Sequence, residues 1–204
     1  MKKMIIALFA VMILVPSLAL AWGENNIGLY TVTTPTGNDA EASLFAAGPG
    51  GHVIYMVLSN PWNENQARAI TQLSGFECSM TELPPGWSFG YISLPTGVLD
   101  FHSGDYDFFC SGNFPPADGN DIVLVEMQIG TFDAAPSGGP IFLTPNFIAP
   151  SIPDAMAVTD GDDGNSLSRA YPSSGDFGMP VFGINMAVVD SEETSWGSVK
   201  SMFK

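Results

Sequence analysis

Alternating apolar and polar positions, interrupted by glycine or proline every ten or so residues, set the character of this chain, in which 22 glycines and 16 prolines leave room for short strands but not for long helices. Over residues 73–81, Phe76, Cys78 and Met80 fall on one face and Glu77, Ser79 and Thr81 on the other, the period of two of a strand with a buried side. In the run 122–132, Val123, Val125, Met127 and Ile129 alternate with Leu124, Glu126 and Gln128 in the same way. The run 52–59, HVIYMVLS, is apolar on both faces and predicts a central, covered strand. Further strands are predicted at 27–33, 87–94, 106–110, 141–144 and 179–189, whereas 149–177, with Asp160-Gly161-Asp162-Asp163-Gly164-Asn165 at its centre, reads as a long loop. The sum is an all-β protein, expected as a two-sheet antiparallel sandwich with a short C-terminal helical tail.

The two ends differ from this body. Lys2 and Lys3, an apolar run from Met4 to Val15 and Ala19-Leu20-Ala21 have the form of a secretory signal peptide cleaved after Ala21. The apolar run is short of the roughly 20 residues needed to span a bilayer, so no integral membrane segment is expected after cleavage. The expected division is a leader at 1–21, a β-sandwich at 22–190 and a polar linker with an amphipathic tail at 191–204. In that tail Trp196, Val199 and Phe203 share a helical face and Lys200 and Lys204 sit at its C-terminal end. Nine residues do not hold a helix alone in water, so the tail, through Trp196, Val199, Lys200 and Phe203, is either docked on its own domain or a handle for a secretion or assembly partner.

Charge narrows the partners. The formal charge of -15 becomes -17 once Lys2 and Lys3 leave, and the remaining Arg68, Arg169, Lys200 and Lys204 form no cluster able to grip phosphates or anionic lipid. Nucleic acid is therefore excluded as a partner, and an extracellular protein or a polysaccharide is expected, with the protein secreted, at the cell surface or in a periplasm. Cys78 and Cys110 are the sole cysteines. In an oxidising compartment they are expected to form a disulfide, worth about 3–4 kcal/mol on the chain-entropy model, the alternative being two buried free thiols.

Candidate chemistry is sparse. His52 and His102, the only histidines, lie in no recognisable catalytic motif, and a glycosidase pair cannot be singled out among 21 acids, so a non-catalytic protein is expected. Asp160, Asp162, Asp163 and Asn165 offer closely spaced oxygens of the kind calcium takes, against the alternative of a plain solvated turn; no other cofactor is expected. Trp62, Trp87 and Tyr91 are candidates for an aromatic platform under sugar rings, against the alternative of core packing.

The succession of Gly50-Gly51, Leu58-Ser59-Asn60, Leu73-Ser74-Gly75-Phe76-Glu77 and the run 122–132 resembles the cohesin-like and carbohydrate-binding-module sandwiches of secreted bacterial proteins, which implies a cohesin-like or jelly-roll arrangement. The segments YPSSGDF at 171–177 and TSWGSVKSMFK at 194–204 are similar to secreted proteins of environmental bacteria that end in a Trp-Gly-x-Val/Ile-Lys tail. Together these resemblances imply an exported interaction or structural module, with carbohydrate binding through exposed aromatics as the second reading and hydrolysis as the third.

Overall fold

The computed structural model describes residues 24–35, 43–44, 47–102, 104–116, 118, 120–146, 150–164 and 166–186. The leader, Asn165 and the tail residues Trp196, Val199, Lys200 and Phe203 lie outside these. The described residues are all-β, without a helix, and no helix among them is long and apolar enough to cross a membrane. Fifteen strands follow in chain order: β1 (Asn26–Tyr30), β2 (Ser43–Leu44), β3 (Gly50–Ser59), β4 (Trp62–Asn63), β5 (Arg68–Ala69), β6 (Leu73–Met80), β7 (Ser88–Ser93), β8 (Val98–Asp100), β9 (Asp107–Gly112), β10 (Asp121–Thr131), β11 (Gly139–Ile141), β12 (Leu143–Thr144), β13 (Met156–Asp160), β14 (Ser166–Pro172) and β15 (Phe182–Ile184).

Nine of them line up as β7-β10-β3-β1-β14-β13-β6-β9-β8 in a ten-stranded sheet whose tenth strand, β12, pairs with β6. Every pairing in it is antiparallel except the seam between β1 and β14, so the sheet is mixed. The sheet curls. Met56 on β3 and Cys78 on β6 bring their sulfurs to 3.8 Å although three strands lie between them. The Phe89 ring on the edge strand β7 meets Tyr106, just before β9, at 5.3 Å between centroids. The concave side so formed holds one core, built from alternate residues of the strands: Ile27 and Leu29, Ile54, Met56 and Leu58, Phe76 and Cys78, Met127 and Ile129, Met156 and Val158. A smaller sheet, β11-β15-β2, adds Ile141, Phe182 and Ile184 to it.

Three expectations change here. The segment 149–177 is not one long loop: it contains β13 and β14, a hairpin at the centre of the large sheet, paired from Met156↔Ala170 to Asp160↔Ser166. The Asp-Gly-rich stretch is the turn of that hairpin. Its second strand alternates inward Ser168 and Ala170 with outward Leu167, Arg169 and Tyr171, small inward residues that give little hydrophobic signal. In β10 a bulge falls between Val123 and Val125, with Val123 opposite Val57 and Val125 opposite Met56. The strand thus changes face at Leu124, and Val123 does not share the core side with Val125, Met127 and Ile129.

The third is the disulfide. Cys78 and Cys110 are free and buried. Cys78 faces the core as its alternation predicts, but the register pairs Cys78 with Phe108 and Cys110 with Phe76, leaving the thiols diagonal to each other rather than directly opposite. Diagonal positions on neighbouring strands lie about 7–8 Å apart, beyond the Cα separation a disulfide spans. Burial is the main cause that pushes both thiols well above the ordinary range, with Cys110, Asp100, Asp107 and Glu77 adding to it for Cys78 and Asp100 for Cys110.

In the unfolded chain these thiols ionise near pH 8.5 while in the folded chain they stay protonated. Their contribution to stability is complete below that pH and is lost as the pH rises from there toward the raised folded values. The melting temperature of residues 22–204 is expected to fall between pH 8 and 10 more steeply than that of a Cys78→Ala/Cys110→Ala variant, measured by circular dichroism. Equal slopes would contradict buried free thiols.

Candidate functional site

The convex side of β6, β9, β13 and β14 carries a trough. Two rungs cross it. In one, Gly75 on β6 stands opposite Ser111 on β9 and Thr159 on β13, with Leu167 on β14 beyond; in the other, Glu77 stands opposite Phe109 and Ala157. Residues without bulk at Gly75 and Ala157 lower the floor, and Phe109 and Leu167, both about two-fifths exposed, raise the walls. The hollow measures about 230 Å³ and is lined by Ser74, Gly75, Glu77, Phe109, Ser111, Ser151, Thr159 and Leu167 among others. The four strands are spaced about 4.8 Å apart, which makes the trough roughly 14 Å from wall strand to wall strand.

Gly75 is required where it stands: a Cβ there would come within 2.9 Å of the Cys110 carbonyl oxygen. The Phe109 wall is extended by Phe101, whose ring meets that of Phe109 edge-on at 6.2 Å, and by His102 at 5.7 Å. Leu99, opposite Ser111 on β8, is exposed as well. At the base, Glu77 is only 2% exposed, and its two carboxylate oxygens accept hydrogen bonds from the Ser151 backbone N–H (2.6 Å) and Oγ (2.7 Å). Ser111 Oγ donates to the Ser74 carbonyl and Ser74 Oγ to the Thr159 carbonyl, each at 3.3 Å.

The aromatic platform expected from Trp62, Trp87 and Tyr91 does not assemble. Trp87 is core, packed on His52 and donating its indole N–H to the Ser137 carbonyl at 2.8 Å. Tyr91 is on the edge strand β7, its hydroxyl on Glu126 at 2.6 Å. Trp62 is half-buried in the β4–β5 ribbon, whose own pairing it joins opposite Ala69, while β7 is an edge of the large sheet with β10, β3 and β1 between it and β14. His102 sits against Phe109 with its Nδ1 3.1 Å from the Asn146 amide, and His52 has its Nε2 3.3 Å from the Gly48 carbonyl oxygen. The residues that do converge, Phe101, Phe109 and Leu167, carried one usable signal: two successive phenylalanines, Phe108 and Phe109, in a strand must face opposite sides, and one of them is therefore outward.

The acidic turn is an ion-pair hub. Asp160, fully buried at the end of β13, accepts from Arg68 Nη2 and Asn63 Nδ2 on one oxygen, both at 2.7 Å, and from the Asp162 N–H at 2.9 Å on the other. Asp162 accepts from Thr71 and the Gln72 N–H, and Asp163 from Asn63. The carboxylates of the turn are thus engaged by donors of the protein itself, Arg68 among them, and Asn165, the fourth residue of the expected calcium set, lies outside the described residues. Among them no three of His, Cys, Asp and Glu converge to hold a metal.

No protein-family model matches the chain, and neither a curated protein nor a solved structure matches it significantly. The fold and the trough therefore define it on their own terms, as a β-rich domain with a recessed, aromatic-walled convex face.

Removing one partner of a buried ion pair costs about 3–5 kcal/mol because the other charge is left unpaired. Arg68→Met is expected to lower stability to urea by an amount toward the lower end of that range, since Arg68 is itself partly exposed, and an Arg68→Met/Asp160→Asn double variant is expected to recover part of the loss. Urea melts of the three proteins check this; an Arg68→Met variant as stable as the parent would contradict the hub.

Proposed function

We propose that the protein is an exported, non-catalytic binding module that acts outside the cytoplasm and engages its partner through the trough on β6, β9, β13 and β14. The observation that carries this is the exposure of Leu99, Phe101, Phe109 and Leu167 around a floor recessed at Gly75 and Ala157. Apolar side chains grouped about a hollow on an otherwise strongly acidic protein mark a recognition surface. Binding is favoured over catalysis by the lining. Its one carboxylate is Glu77, held by Ser151, with no second acid among the lining residues to share general acid and base roles.

Export rests on the leader-like residues 1–21 and agrees with the acidity of the remainder. The curl supports a sandwich-like reading of the architecture, in which β7-β10-β3-β1 face β14-β13-β6-β9-β8 across the core, as the Met56–Cys78 approach indicates.

The test is partition of the mature protein between the surface-and-matrix fraction and the medium of a culture that produces it. The parent is expected to sediment with the surface and matrix, and a Phe109→Ala/Leu167→Ala variant of unchanged melting temperature to move at least several-fold toward the medium. Equal partition of the two would overturn the assignment of the trough.

A further inference from the structure

Resting on that reading, we propose that the trough takes a neutral glycan, one sugar ring at a time seated over Gly75 and against the exposed face of Phe109. Four features point to this ligand. The first is the polarity of the lining. Ser111, exposed on β9, spends its hydroxyl proton on the Ser74 carbonyl, which leaves its oxygen an acceptor and matches a partner rich in O–H donors.

The second is the aromatic wall. Phe109 is exposed, its ring meeting Phe101 edge-on and His102 at 5.7 Å; an aromatic ring has an electron-rich face, and the C–H groups along one side of a sugar ring are its electropositive complement. With no side chain at Gly75 and a methyl at Ala157, a flat ring can approach the backbone between the Phe109 and Leu167 walls. Third, the volume is small: about 230 Å³ is room for roughly seven or eight waters and falls below the hollows of about 300–1,000 Å³ that take drug-sized ligands.

The fourth feature separates a glycan from a peptide. Extended peptides gain affinity by adding a strand to a free sheet edge. Here β9, β6 and β13 are paired with strands on both sides, and along the Leu167 wall, where β14 runs clear of its two-residue pairing with β1, the Leu167 and Arg169 carbonyls accept from the Asn65 and Asn25 amides and the Arg169 N–H donates to Glu64, so these backbone groups are already engaged. Charge favours a neutral ligand: no basic residue lines the hollow, and its one acid is engaged by Ser151.

The experiment uses the purified mature protein on cellulose, chitin, xylan, mannan, starch and β-1,3-glucan, by pull-down and by affinity electrophoresis with the soluble forms. Retention is expected on at least one of these. For that glycan, Phe109→Ala should weaken binding at least tenfold, Ser111→Ala a few-fold, and Phe109→Trp, which keeps a ring face, should retain it. Phe132→Ala removes a fully exposed ring from residue 132, just past β10 and outside the trough lining, and should change nothing. Ser111→Ala leaves the ring stack intact and keeps the test decisive even if Phe109→Ala folds poorly. Failure to bind any of the six, or equal binding by parent and trough variants, would overturn the proposal. If all six fail while the Phe109→Ala/Leu167→Ala variant still loses its place on the cell surface, the glycan is excluded and the binding-module reading stands with a protein partner.

Discussion

The parallel seam between β1 and β14 is the contact on which the rest of the structure depends. Only two residue pairs form its ladder, Asn26↔Tyr171 and Ile27↔Pro172, extended by the Tyr171 N–H on the Asn25 carbonyl (3.0 Å) and the Ser173 N–H on the Ile27 carbonyl (2.8 Å). On one side of it lie β3, β10 and β7, on the other β13, β6, β9 and β8. The seam is fastened by Asn25, a fully buried residue in the left-handed region at φ 55°. Its side-chain amide donates to the carbonyls of Trp62 and Arg169 and its oxygen accepts from the Trp62 N–H, all within 2.8 Å. Asparagine tolerates that backbone conformation and supplies both donor and acceptor, a combination few residues offer. Beside it, Gly28 is fixed by space, since a Cβ there would stand 2.4 Å from Ser173 Oγ.

From that seam the curl and the trough both follow. Joining the two antiparallel halves lets the right-handed twist of each accumulate across nine strands in one direction, until β3 and β6 face each other and the core closes at Met56 and Cys78. The same curvature leaves β6, β9, β13 and β14 with a convex outer side, on which the low positions at Gly75 and Ala157 become a channel. Around the back, the hub at Asp160 ties the β4–β5 ribbon to the β13–β14 turn and holds in register the strand that forms the trough floor. The chain's acidity makes this tie more telling, because Arg68 is one of only six cations in the sequence.

How much of this was legible depends on the range of the interaction that decides each feature. Strand β6 was read closely, because the alternation of Phe76, Cys78 and Met80 with Glu77 and Ser79 is local; yet Glu77 and Ser79 are buried too, covered by Ser151 and Asp107, which the alternation alone does not reveal. The pair β13–β14 was lost to its turn, since five acidic and glycine residues outweighed the small inward Ser168 and Ala170. Alternation placed Cys78 on the core side but carries no information on its register with Cys110, and an offset of one diagonal separates a disulfide from two free thiols. The trough was out of reach, because its floor is made by two small residues, Gly75 and Ala157, on strands whose adjacency is set by pairing across distant parts of the chain. Trp62 and Trp87 were attractive as single residues and were claimed by the ribbon and the core.

Amide hydrogen exchange of residues 22–204, followed residue by residue by NMR under native conditions, tests the seam most directly. The slowest amides of β1, β3, β14, β13 and β6 are expected to share one opening free energy, equal to that of global unfolding, because the two halves of the sheet cannot open separately. Two distinct plateaus, one for β1, β3 and β10 and another for β14, β13 and β6, would contradict it.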